Sequence, residues 1–129
     1  MRIDHHIAIA EEFESALAKL DPVKDGQLFV WFLIQAGTQR LNEALHRLSV
    51  TSETNCETPS NSHGDFIHSY SVPLEIASLE DISPQLRNLK YLEDLRADYV
   101  RGASSLDAQT VSESLAAYDV IRAKSPFRS

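Results

Sequence analysis

Two histidines and an aspartate crowd the short stretch SHGDFIHSY, residues 62–70. Imidazole and carboxylate are the side chains that bind zinc and its neighbours, with four ligands or three plus water at about 2.0–2.3 Å. In extended chain, residues two apart point to the same side, so His63 and Asp65 could share a cation, with His68 three positions on. Cys56 is a conceivable fourth donor. His5 and His6 are adjacent, so on a helix they diverge. No spacing here matches a known metal signature. The stretch therefore reads first as the boundary between a loop and the next helix, with His63, Asp65 and His68 kept as an alternative metal set. A second candidate is LRADYVRG, residues 95–102, where Arg96, Tyr99 and Arg101 could recognise a phosphate or nucleotide. The competing reading there is a solvated helix face with Glu93–Arg96 and Asp98–Arg101 pairs. A third, Arg40 followed six positions later by His46, has a spacing that chance supplies about once in a chain of this composition. Six helical steps also place the two on different faces, and Glu43 with Arg47 reads as surface pairing. No glycine-rich phosphate loop, nucleophile elbow or paired-carboxylate signature is present. No catalytic residue and no cofactor are assigned.

The elements that must position these residues are helical. Ile3, Ile7, Ala10, Phe13, Leu17 and Leu20 fall on one face of a first helix, ended by Asp21-Pro22. A second helix runs from about Val23 to Ser49. Its LFVWFLI half is expected at the centre of the fold, and its second half is expected to be amphipathic through Leu41, Leu45 and Leu48. Gly37 in mid-helix costs about 1 kcal/mol relative to alanine unless a neighbour packs closely there. Residues 51–65 are polar without period and read as a flexible loop. Cys56 in that loop has acidic neighbours and is expected to be an ordinary surface thiol. A short helix follows Pro73, burying Leu74, Ala77 and Ile82. The next starts with Ser83 as its cap and Pro84 in first position. It continues through Leu86, Leu89, Leu92, Leu95, Tyr99 and Val100 to Gly102. Asp107 caps a last helix with Ala108, Val111, Leu115, Tyr118 and Ile121 on one stripe. The fold class expected is all-α: a single domain over residues 1–129, an up-and-down bundle of four main helices plus one short helix.

The totals agree with that. The chain has 129 residues, 43% hydrophobic and 24% charged, with 19 acidic and 12 basic side chains and a formal charge of −7. Such a surface disfavours sequence-blind binding to nucleic acid or anionic membrane, while leaving room for a local basic site. No apolar run is long enough to span a bilayer, and the first residues lack a signal-peptide core. With one cysteine and no leader, a cytoplasmic location is expected.

The layout resembles the HEPN superfamily of small all-α domains over about residues 28–122. Gln35, Ala36, Leu41, Ala44 and Leu45 resemble that family's second helix. IHSYSVPLEIA, led by His68, resembles its entry into the third, and LEDLRADYVRG with the closing helix resembles the fourth and fifth. The resemblance implies a homodimer, and in ribonuclease members an arginine–histidine pair that cleaves RNA. Here the matching stretch starts at Arg96 and carries Arg101 where the histidine would stand. Arginine stays protonated and cannot act as a general base. The resemblance thus implies a non-catalytic relative binding a nucleotide, RNA or a protein partner through Arg96, Tyr99 and Arg101, in a toxin–antitoxin or regulatory context. An acidic helical interaction module is the alternative, motivated by LFVWFLI and Trp31. A metal-dependent enzyme is the third reading.

Overall fold

Hydrophobic periodicity becomes helix over most of the described residues. The computed structural model describes residues 1–53, 65–99 and 106–123. Helix α1 spans Ile3–Leu17 and α2 Gly26–Arg47. After a 3₁₀ turn at Ser69–Ser71 come the short α3, Leu74–Ala77, then α4, Ser83–Asp94, the short α5, Arg96–Tyr99, and α6, Ala108–Ala123. Among the described residues there is no strand. This is the all-α bundle of four main helices, with two short α-helices rather than one.

Helices α1 and α2 form an antiparallel pair. Their connection is fixed by Asp21, whose Oδ1 accepts the backbone N–H groups of Val23 and Lys24 at 2.9 and 3.1 Å. Those two bonds hold the Asp21 carboxyl below its ordinary range. The inward face of α1 carries His6 and Ala10, with Phe13 and Leu17 partly covered. Helices α4 and α6 are also antiparallel, tied by Gln85 Nε2 donating to the Ile121 carbonyl at 2.6 Å and Tyr91 to Glu113 at 3.3 Å.

Helix α2 packs against α1, α4, α5 and α6. Its burial reverses the expected order. The polar half is the enclosed one: Ala36, Gly37, Thr38 and every residue from Arg40 to His46 are buried. The apolar first half leaves Leu28 and Trp31 exposed. The reason is coverage, because α1, α4, α6 and the segment entered at Phe66 all close around the C-terminal half. Full burial of Leu33, Leu41 and Leu45 contributes about 1.5–3 kcal/mol each. Gly37 has the close neighbours that justify it: a Cβ there would stand 3.1 Å from Leu89 Cδ1 and 3.3 Å from Ile121 Cδ1.

The polar residues inside α2 are all engaged. Thr38 Oγ1 donates back to the Ile34 carbonyl at 2.8 Å. Arg40 donates to Glu14 at 3.2 Å and to Glu43 at 3.1 Å, and Tyr118 donates to Glu14. Arg47 completes the chain to Glu43 at 3.0 Å. The Glu43–Arg47 pair thus exists, but Glu43 is 4% exposed and the pair belongs to a buried network, not to the surface. Burial pushes the Tyr118 hydroxyl up, and Glu14 beside it pushes the same way.

Other boundaries shift by a residue or a turn. Ser83 is the first residue of α4, with Ile82 before it, and makes no side-chain cap. Asp107 does cap α6, its Oδ1 accepting the Thr110 N–H at 2.7 Å. The expected continuous helix through LEDLRADY is interrupted at Leu95, whose N–H turns back to the Leu92 carbonyl at 3.1 Å. Leu74 is 81% exposed, and Ile76 and Ile82 are the buried residues of that region. On α6 the buried set is Ser114, Ala117, Tyr118 and Ile121, with Leu115 outside. Most of the polar stretch 51–65 (residues 54–64), and Gly102, lie outside the described residues.

Candidate metal centre

Antiparallel pairing brings the start of α1 beside the end of α2. His6 and His46, 40 positions apart in sequence, meet there with ring centroids 5.1 Å apart. Both are buried, at 1% and 5% exposure. Asp65 arrives from the other side. Its Oδ1 lies 2.9 Å from His6 Nε2 and 2.8 Å from His46 Nε2, and the two Nε2 atoms are 3.3 Å apart. The three potential ligand atoms all fall within 4.8 Å of one another.

Each member is held by a local device. Asn42, 1% exposed, accepts the Phe66 N–H at 2.7 Å through Oδ1 and donates to the Phe66 carbonyl at 2.6 Å through Nδ2. The amide mimics a strand neighbour by engaging both backbone groups of Phe66, and so fixes Asp65 one residue earlier. Helix α2 ends with Ser49 in the left-handed region, φ 58°. The Ser49 N–H reaches the His46 carbonyl and the Val50 N–H the Leu45 carbonyl, both at 3.0 Å. This pair of bonds is the Schellman arrangement. It reverses the chain so that Thr51 Oγ1 meets His46 Nδ1 at 2.6 Å. His6 Nδ1 meets Gln39 Oε1 at 2.6 Å.

These outer partners set the chemistry. An amide oxygen only accepts, so His6 Nδ1 donates. Neutral His6 then turns a lone pair at Nε2 toward the Asp65 carboxylate and the second imidazole. Nε2 of His46 carries a lone pair or a hydrogen according to whether the Thr51 hydroxyl donates or accepts at Nδ1, so the point between the three atoms holds either a shared proton or a metal ion. Burial raises the affinity of Asp65 for a proton. With no metal ion at that point, the Met1 amino group and the protons that the imidazoles share with Asp65 outweigh the effect of burial and lower the carboxyl below its ordinary range. Asp65 is therefore an anion at neutral pH. A cation about 2.1 Å from each ligand separates neighbouring ligands by about 3.0 Å in an octahedron and about 3.4 Å in a tetrahedron. The observed triangle, 2.8 to 3.3 Å on its edges, is of that size.

The residues singled out from sequence are distributed differently. Asp65 belongs to the centre. His68 does not: its ring stacks on Tyr70 at 4.9 Å, and its Nδ1 has no partner among the described residues. His63 and Cys56 lie outside the described residues. His46 enters the centre without Arg40, which faces Glu14 and Glu43 as the helical angle requires. Arg96 sits over the Trp31 ring at 5.3 Å, while Glu93 accepts the Ser69 N–H at 2.7 Å; no Glu93–Arg96 pair forms. Tyr99 is half-buried on α5, and Arg101 is outside the described residues. The metal set expected from sequence held neither histidine of the centre, and His6 is the one for which the chain carried a signal. The available signal was its register: His6, Ala10, Phe13 and Leu17 recur at helical spacing, placing an imidazole on the inward stripe.

No helix among the described residues is long and apolar enough to cross a membrane. No protein-family model, no curated protein and no solved structure matches the chain.

Proposed function

We propose that this helical domain binds a divalent transition-metal ion through His6 Nε2, His46 Nε2 and Asp65 Oδ1. The observation that carries the reading is the His6 Nδ1 contact with the Gln39 carbonyl oxygen, which leaves Nε2 as a lone pair aimed at two other ligand atoms. Metal-bound histidine characteristically donates its other ring N–H to a carbonyl or carboxylate. Two imidazoles and one carboxylate suit the series from Mn²⁺ to Zn²⁺. Three protein ligands leave further positions for water or substrate, which is the pattern of a catalytic rather than a purely structural site. Such an ion would polarise a bound carbonyl or phosphoryl oxygen, or acidify a bound water. A metal-dependent enzyme is thus the functional class best supported.

The test is titration of tag-free, chelator-stripped protein with Co²⁺, followed by visible absorption and calorimetry. One ion per chain is expected, with binding lost in His6→Ala, His46→Ala and Asp65→Ala. Gln39→Leu should weaken binding by about 10–100-fold. Absence of binding by the native chain, or a Gln39→Leu protein that binds like the native one, would sink the reading.

A second reading keeps the HEPN resemblance and a nucleotide or RNA ligand. Arg96 Nε is buried with no hydrogen-bond partner among the described residues, and its guanidinium lies over the exposed Trp31. That arrangement offers a stacking and phosphate-binding corner beside Tyr99. Titration with ATP and short RNAs tests it: Arg96→Ala should abolish binding and leave metal affinity unchanged. No binding by the native protein removes it.

A further inference from the structure

On its outward side the α1–α2 pair leaves an open groove of about 720 Å³. Both walls are helical. On α1 the lining falls at positions 8, 11, 12, 15 and 16, and on α2 at Leu28 and Phe32, one turn apart. Ser15 and Ala16 keep the α1 wall low, while Leu28 is exposed and Phe32 partly covered. Glu11 and Glu12 stand on the rim, both exposed. Among the described residues neither joins an ion pair within the chain, whereas the other two acids of α1, Asp4 and Glu14, do. Lys19, the cation of the lining, stands past the end of α1 at Leu17. Seven residues separate it from Glu12, about 10 Å along the axis.

We infer that this groove receives an amphipathic helix of a partner protein, apolar on one face and rich in lysine or arginine beside it. Two helices side by side offer a furrow whose ridges, three and four residues apart, mesh with the same spacing on a third helix. An extended segment, with its period of two, has no such match. Positions 8 to 16 cover about 12 Å along α1, so about three turns of the partner fill the furrow. The apolar face of that helix covers Leu28 and Phe32, and the small side chains of Ser15 and Ala16 let its axis come close. Charge selects the partner. Two unpaired carboxylates line this stretch against one amine beyond its end, and the whole chain carries −7. A basic helix is therefore drawn toward the molecule and paired at Glu11 and Glu12 once seated, whereas an acidic helix is repelled at both stages. The same charges disfavour a second copy of this chain, which would bring −7 to an acidic rim. The groove is independent of the metal centre, because His6 lies on the buried, inward side of α1.

Fluorescence anisotropy with labelled synthetic peptides of about four helical turns tests it, in about 0.15 M salt so that loose charge attraction is screened. One peptide carries a leucine face flanked by lysines. A second carries the same face flanked by glutamates, and a third has the lysine composition in scrambled order. The first should bind the full native chain at least tenfold more tightly than the other two. Ser15→Gln, which fills the furrow, and Leu28→Gln, which removes its apolar wall, should each weaken that binding tenfold or more, and neither alters charge. The double variant Glu11→Lys/Glu12→Lys should weaken the lysine peptide as much and bind the glutamate peptide instead. All four positions are exposed, and far-UV circular dichroism checks that each variant is folded. A lysine peptide that fails to bind the native chain overturns the inference. So does one that binds Ser15→Gln and Leu28→Gln like the native chain, or a scrambled peptide that binds as tightly. Sedimentation velocity adds the rival occupant: a native chain that dimerises, with the dimer abolished by Ser15→Gln, assigns the groove to a second copy and also overturns it.

Discussion

Asn42 decides whether the centre exists. Its side-chain amide occupies both backbone groups of Phe66 and the Thr38 carbonyl. Replacing it with alanine removes three hydrogen bonds, each contributing about 0.5–1.5 kcal/mol. Asn42→Ala should therefore lower unfolding stability by about 2–4 kcal/mol in urea melts. It should also weaken Co²⁺ binding, because Asp65 loses its anchor; Asn42→Asp would restore only the acceptor half of the clamp. Metal affinity should fall as pH drops, since protons compete for the same ring nitrogens. The register of His6 was legible in the sequence, and so was the isolation of Arg40 from His46. That Asp65 would join His6 rather than His63 was not, because local spacing carries no information about a partner 59 positions away.

At the scale of elements, two positions in α2 report how the helix is held. Gly37→Ala sets a gain in helix propensity of about 1 kcal/mol against contacts of 3.1 and 3.3 Å. Its net effect should be small, whereas Gly37→Leu must push α4 and α6 apart and should cost about 1–3 kcal/mol or more. Thermal melts of the pair separate propensity from packing. Ser49 occupies the left-handed region without being glycine. Ser49→Gly should stabilise the chain by about 1 kcal/mol while leaving the Thr51–His46 contact in place. Helix α6 depends on its Asp107 cap, whose carboxyl is lowered by the Thr110 backbone N–H. A lowered carboxyl contributes stability that is fully present above its unfolded-state pKa and is lost as pH falls through the folded one. The melting-temperature deficit of Asp107→Ala should accordingly be largest near neutrality and shrink on acidification. Helix positions and this cap could be read in advance because 3.6-residue periodicity and capping are local. The burial of the polar half of α2 could not, because it depends on which neighbours close over it.

For the whole molecule, the proposed ion would join three separate segments: the start of α1, the end of α2 and the chain entering Phe66. Anything that binds only the folded state stabilises it by mass action, about 2.7 kcal/mol at a hundredfold excess over Kd. Adding Zn²⁺ or Co²⁺ to stripped protein should raise the melting temperature by several degrees, and the rise should vanish in His46→Ala. If the native chain shows no shift, the three segments are held by side-chain hydrogen bonds alone.

Composition, charge and apolar spacing by themselves determined an all-helical domain with four long helices close to where they stand. They did so because helix formation answers to residues three and four apart. They also supplied every chemical group of the centre without assembling it. The tertiary structure alone decided that His6, His46 and Asp65 share one point, that Arg96 faces Trp31 rather than Glu93, and that the polar half of α2 is the buried half. Those outcomes depend on the turn at Asp21, the reversal at Ser49 and the Asn42 clamp acting together, and long-range convergence of that kind leaves no period in the chain.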